Sequence, residues 1–78
     1  MALISNDNLK KIDKERNHIH GKVKATYTVF ENNGNIYFQI DTYGSPSREI
    51  KDKISQSLQF DEKSAKAIVE ILRRTYNF

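Results

Sequence analysis

Val23-Lys24-Ala25-Thr26-Tyr27-Thr28-Val29-Phe30-Glu31-Asn32-Asn33-Gly34-Asn35-Ile36-Tyr37-Phe38-Gln39-Ile40-Asp41-Thr42-Tyr43 is the stretch that decides the fold. Val23, Ala25, Tyr27 and Val29 alternate with Lys22, Lys24, Thr26 and Thr28. After Asn33-Gly34, Ile36, Phe38 and Ile40 alternate with Tyr37, Gln39 and Asp41. A period of two is the signature of a half-buried strand. Asn-Gly is the strongest two-residue hairpin signal, because both residues adopt positive φ readily. A turn at Asn33-Gly34 pairs Asn32 with Asn35, Val29 with Phe38, Tyr27 with Ile40 and Thr28 with Gln39. Directly paired residues share a face. The apolar sets of the two strands therefore meet without a slip, and turn chemistry agrees with pattern. The hairpin is expected to run from His20 to Tyr43.

Outward from the hairpin, Gly44-Ser45-Pro46-Ser47 ends the second strand and a charged loop runs to Asp52. Ile54, Leu58 and Phe60 then alternate with Ser55, Ser57 and Gln59, which predicts a third strand. Asp61 has the chemistry of a helix N-cap, with Glu62 in the first turn. Ala65, Ile68, Val69, Leu72 and Tyr76 recur at helical spacing, and Arg73 and Arg74 suit the last turn. At the other end, Leu9 and Ile12 sit among Asp7, Lys10, Lys11, Lys14 and Glu15, with Ser5 or Asn6 as a cap. The expected architecture is α+β. It has a three-stranded antiparallel sheet over 20–60, a C-terminal helix over 61–76 packed on one face, and a short N-terminal helix or flexible arm over 1–17.

The chain has 78 residues, 13 Lys and Arg against 10 Asp and Glu, and no cysteine. That is room for one domain, and it excludes disulfides, zinc–thiolate sites and thiol nucleophiles. A small domain without such staples often relies on a partner or a second copy. No apolar run approaches the roughly 20 residues that cross a bilayer, and Met1–Ser5 is too short for a signal peptide. A cytoplasmic setting is the resulting expectation. An excess of three positive charges permits a nucleic-acid partner without requiring one.

If the helix covers the apolar sheet face, the opposite face carries Lys22, Lys24, Thr26, Thr28, Tyr37, Gln39, Asp41, Tyr43, Lys53, Ser55, Ser57 and Gln59. Arg48 and Lys51 border it on the loop. Single-stranded nucleic acid is held by surfaces on which cations track phosphates and aromatic rings stack on bases. In this reading Lys22, Lys24, Arg48, Lys51 and Lys53 neutralise phosphates. Tyr37 and Tyr43 stack, and Thr26, Thr28, Gln39 and Ser55 hydrogen-bond. Lys and Thr also alternate on the solvated side of ordinary sheets.

Other constellations carry less. His18-Ile19-His20 offers two imidazoles and no third ligand at a recognisable spacing, which argues a surface role over a metal site. Asp41 with Glu49-Ile50-Lys51 has the residue types of a metal-dependent nuclease, but in a charged loop. Gly21, Gly34 and Gly44 stand alone, so no phosphate-cradling loop exists, and no nucleophile elbow is present. No enzymatic activity, metal, cofactor or small-molecule substrate is expected.

Tyr37-Phe38-Gln39-Ile40-Asp41-Thr42-Tyr43, the charged loop, Lys53-Ile54-Ser55-Gln56-Ser57-Leu58 and the capped helix resemble the second half of the positive cofactor four coactivator family. The likeness covers Tyr37 to about Leu72. It implies strand, basic loop, strand and helix, with single-stranded DNA bound by a dimer on its sheet. Lys63-Ser64-Ala65-Lys66 is similar to the start of the second helix of double-stranded RNA-binding domains. The order of elements also resembles the sheet-plus-helix arm-binding domain of some integrases. The expected function is non-catalytic nucleic-acid binding, with single-stranded or distorted DNA favoured and a homodimer as a further expectation. The alternative is a small interaction protein, of the type found in phages and mobile elements, that docks on a cellular enzyme and modulates it. Such a protein would use the tyrosine-bearing face or Arg73-Arg74-Thr75-Tyr76.

Overall fold

The structure is a computed structural model that describes residues 1–44 and 53–78. Its elements are β1 (Ala2–Ile4), a single 3-10 turn (Asn6–Asn8), β2 (Ala25–Asn32), β3 (Asn35–Tyr43), β4 (Ile54–Phe60) and α1 (Glu62–Tyr76). The fold is α+β with one C-terminal helix, as the pattern implied. The sheet, however, is four-stranded and mixed, in the order β1-β4-β3-β2.

The β2–β3 hairpin has the register that the Asn33-Gly34 turn dictates. Asn32 pairs with Asn35, Val29 with Phe38, Thr28 with Gln39 and Tyr27 with Ile40. Asn33 and Gly34 have φ of 52° and 81°, the two positive values a type I′ turn demands. The strand begins at Ala25, and the Tyr43 amide donates to the Lys24 carbonyl at 3.0 Å, which ends the ladder. Lys22, expected on the first strand, therefore lies outside the sheet.

β4 pairs antiparallel with β3, matching Phe38 with Phe60, Ile40 with Leu58 and Asp41 with Ser57. Between Thr42 and Tyr43 the register shifts, so Tyr43 pairs with Ile54 and Ser55 is the extra residue of a bulge. Ile54 thereby joins the Tyr43 face, and the simple alternation expected for this strand breaks at its start. The fourth strand is β1, parallel to β4, with Ala2 opposite Leu58 and Ile4 opposite Phe60. Residues 9–24 form neither helix nor strand. The expected N-terminal helix is thus replaced by an edge strand and a 3-10 turn. Leu9 and Ile12 alone give a helix too little apolar surface to offset the cost of nucleating it.

α1 is specified by its ends. The Asp61 carboxylate accepts from the Ser64 amide at 2.8 Å, and the Ser64 hydroxyl accepts from the Asp61 amide at 3.0 Å. This capping box satisfies two orphan donors reciprocally. Asn77, left-handed at φ 58°, closes the other end by donating to the Arg73 carbonyl.

The expected docking of α1 across the apolar sheet face is confined to its start, where Ala65 lines one cleft with Ile36, Phe38 and Phe60. Only Asp61 separates Phe60 at the end of β4 from Glu62 at the start of α1. A helix that follows its strand with so short a link leaves at the strand end, because folding back beneath the sheet takes a longer loop. Burial falls along α1 accordingly. Ser64 is buried, Ala65, Ala67 and Ile68 are half-buried, and every residue from Val69 onward is exposed. Among the described residues no hydrophobic side chain is fully buried.

Candidate nucleic-acid interface

Strand alternation divides the sheet into two faces of opposite character. One carries Tyr27, Val29, Ile36, Phe38, Ile40, Leu58 and Phe60, knitted by a Tyr27–Phe38 stack and a tilted Phe38–Phe60 pair. The other carries Thr26, Thr28, Tyr37, Gln39, Asp41, Tyr43, Ser57 and Gln59. Burial is the reverse of what the sequence suggests. Asp41 and Ser57 on the polar face are buried, whereas Tyr27, Val29, Ile36 and Leu58 on the apolar face are exposed.

The polar side chains bury one another through hydrogen bonds across β3 and β4. Gln59 donates from Nε2 to Oε1 of Gln39 at 2.8 Å, and Gln39 donates from Nε2 to Oδ1 of Asp41 at 2.9 Å. The Ser57 hydroxyl donates to the same Asp41 oxygen. A buried carboxylate needs such donors, since burial without them costs several kcal/mol, of order 2–7 for even a neutral polar group. Asp41 is therefore occupied in holding two strands together. Among the described residues no group of three or more His, Asp or Glu could hold a metal ion. Glu49 and Lys51, the other members of the nuclease-like pattern, lie outside the described residues.

Tyr43 and Lys24 form a second cluster at the open end of the hairpin. The Tyr43 hydroxyl shares a hydrogen bond with Thr26 Oγ1 at 3.1 Å, and Lys24 Nζ sits 5.0 Å from the ring centroid. One side of the Tyr43 ring is thus taken by a cation. Tyr37, at the turn end, faces Phe30 across the strands, with centroids 5.5 Å apart and planes 23° from parallel. Phe30 is the functional candidate missed in the sequence. It lies two positions beyond Thr28, and that parity places it on the polar face, opposite Tyr37.

Of the expected site residues, Lys24, Thr26, Thr28, Tyr37, Gln39 and Tyr43 share one face. Ser55 enters at the bulge, and the exposed Lys53 immediately precedes β4. Lys22 is exposed but off the sheet, two residues before Lys24. Arg48 and Lys51 lie outside the described residues. His18 and His20 are exposed in the stretch that links the 3-10 turn to β2.

Among the described residues, Asp61 is the ionisable group whose environment clearly shifts it. The Ser64 amide and then the Ser64 hydroxyl hold its carboxyl below the ordinary value of 3.8, with a smaller contribution from Lys63. That shift belongs to the helix cap, away from the polar face. Among the described residues no helix is long and apolar enough to cross a membrane. No family model, curated protein or solved structure matches the chain, so the likenesses drawn over Tyr37 to Leu72 rest on its residues alone.

Proposed function

We propose that the chain is a non-catalytic nucleic-acid-binding module that receives single-stranded DNA on the polar face of its sheet. The observation that carries this reading is the Phe30–Tyr37 stack on a face otherwise made of hydrogen-bonding side chains. A cross-strand aromatic pair adds only about 0.2–1 kcal/mol to the sheet itself. Stacking of base rings on aromatic side chains is worth more, about 1–3 kcal/mol per base. Thr28 and Gln39 form a directly opposed pair beside the aromatic one and offer donors and acceptors to base edges. Lys24 at one end and Lys53 near the bulge supply cations for phosphates. Lys22, Arg48 and Lys51 are assigned the same role from the sequence. The cation–π contact of Lys24 narrows the role of Tyr43 to positioning that lysine, so stacking falls to Phe30 and Tyr37.

Fluorescence anisotropy with a labelled single-stranded oligonucleotide at low salt tests this. Saturable binding that duplex DNA competes for only weakly supports it. Absence of binding at micromolar protein removes it.

A further inference from the structure

We propose that a second copy of this chain covers the apolar sheet face, so that the folded unit in solution is a symmetric dimer. The starting point is the exposure of that face: 69% for Tyr27, 61% for Val29, 64% for Ile36 and 40% for Leu58. Large apolar residues scattered singly on a surface are ordinary, but a contiguous patch of them marks an interface. The stripe on α1 is in the same condition. Val69, Leu72 and Tyr76 are exposed, on a helix that touches β3, β4 and the 3-10 turn while its later residues stand clear of the sheet. One chain therefore carries two apolar surfaces suited to each other, and its short β4–α1 link keeps them apart.

The size of the molecule states how much surface is missing a partner. The chain exposes 7434 Å². A compact monomer of its mass exposes about 4,900 Å² by the usual scaling of surface with mass. The excess is about 2,500 Å² per chain. The extended residues 9–24 and apolar residues outside the patch, such as Met1, Ile12, Ile19 and Phe78, supply part of it, and the sheet face and the α1 stripe supply another part. Half of the excess from each of two chains makes about 2,500 Å² in total, inside the range for obligate homodimers.

A second copy is the occupant that matches on both counts. A two-fold axis sets the same patch against itself, which lets the α1 stripe of each copy reach the other's sheet. Among the described strand residues of the face only Glu31, at the turn end, is charged, and Asp61 and Glu62 border it where α1 begins. The polar face lies on the other side of the sheet and remains open in the dimer. Dimerisation and nucleic-acid binding are therefore separate claims, and either can fail alone.

Light scattering on the eluting full chain, with thermal unfolding across a range of concentrations, tests the proposal. The expected mass is twice the 9.1 kDa of one chain, with an unfolding midpoint that rises with protein concentration. Val29→Glu, on the apolar face, is expected to shift the mass toward one chain. Thr28→Glu, its neighbour on the opposite face, is expected to keep the dimer mass. If Val29→Glu fails to fold, Val69→Glu on α1 makes the same test. A folded wild-type chain that runs at 9.1 kDa, with a concentration-independent midpoint, overturns the proposal, even if another protein is found to bind that face. So does a Val29→Glu or Val69→Glu dimer as tight as the wild type.

Discussion

The ring of Phe30 stacks on that of Tyr37 across the β2–β3 hairpin, and the pair lies on the polar face of the sheet, opposite Tyr27 and Phe38. Two aromatic residues on a hydrogen-bonding face make a local platform. If bases stack there, Phe30→Ala or Tyr37→Ala each weakens oligonucleotide binding by about fivefold to a hundredfold, from roughly 1–3 kcal/mol per stacked base. Tyr37→Phe keeps the ring and leaves affinity nearly unchanged. Anisotropy titrations measure all three. Circular dichroism melts separate the loss from the roughly 0.2–1 kcal/mol that a cross-strand pair contributes to the sheet.

Phosphate neutralisation has its own signature. With about five cations on a single strand, the logarithm of affinity falls against the logarithm of salt with a slope of roughly −3 to −4. Lys24→Gln makes the slope shallower by about 0.7 and weakens binding to all sequences alike. A flat salt response points to a protein target.

Hairpin register rests on the turn. Gly34 has φ of 81°, and a Cβ there would meet nothing within 4 Å. The cost of Gly34→Ala is therefore conformational alone, about 1–2 kcal/mol. Gly21→Ala meets the same open space without a positive φ and changes stability by no more than about 0.5 kcal/mol. Thermal or urea unfolding of the two variants compares them directly.

The Asp61 cap gives stability a pH dependence of known sign. Its folded carboxyl titrates below 3.8, held down chiefly by the Ser64 amide. A depressed folded value means that the stabilisation is present in full above the unfolded value and is lost as pH falls through the folded one. Asp61→Asn keeps a capping oxygen and removes the charge, so its stability varies less with pH below 4 than that of the wild type, while at pH 7 it remains capped. Helix content followed by circular dichroism during acid titration checks this.

These particulars show where sequence is a good guide. The hairpin was legible because two local signals, a period of two and an Asn-Gly turn, specify one register. The helix was legible because Asp61 and the stripe from Ala65 to Tyr76 state its start and its period. β1 was not, since three residues carry no periodicity and their pairing with Leu58–Phe60 is made across more than fifty residues of chain. Neither was the bulge at Ser55, which leaves the polar–apolar order of the sequence unchanged. Phe30 was within reach of the sequence, because the register of the Asn33-Gly34 turn pairs it with Tyr37 and strand parity places it with Thr26 and Thr28. The apolar stripe of α1 was plain, but amphipathicity says only that a surface must be covered and not by which chain.

The polar face itself is tested most directly by nuclear magnetic resonance, following backbone amides as a short single-stranded oligonucleotide is added. The account predicts shifts concentrated at Lys24, Thr26, Thr28, Phe30, Tyr37 and Gln39, with alternate residues such as Tyr27, Val29 and Phe38 moving less. Shifts centred on Tyr27, Val29 and Phe38, or no shifts at saturating oligonucleotide, would contradict it.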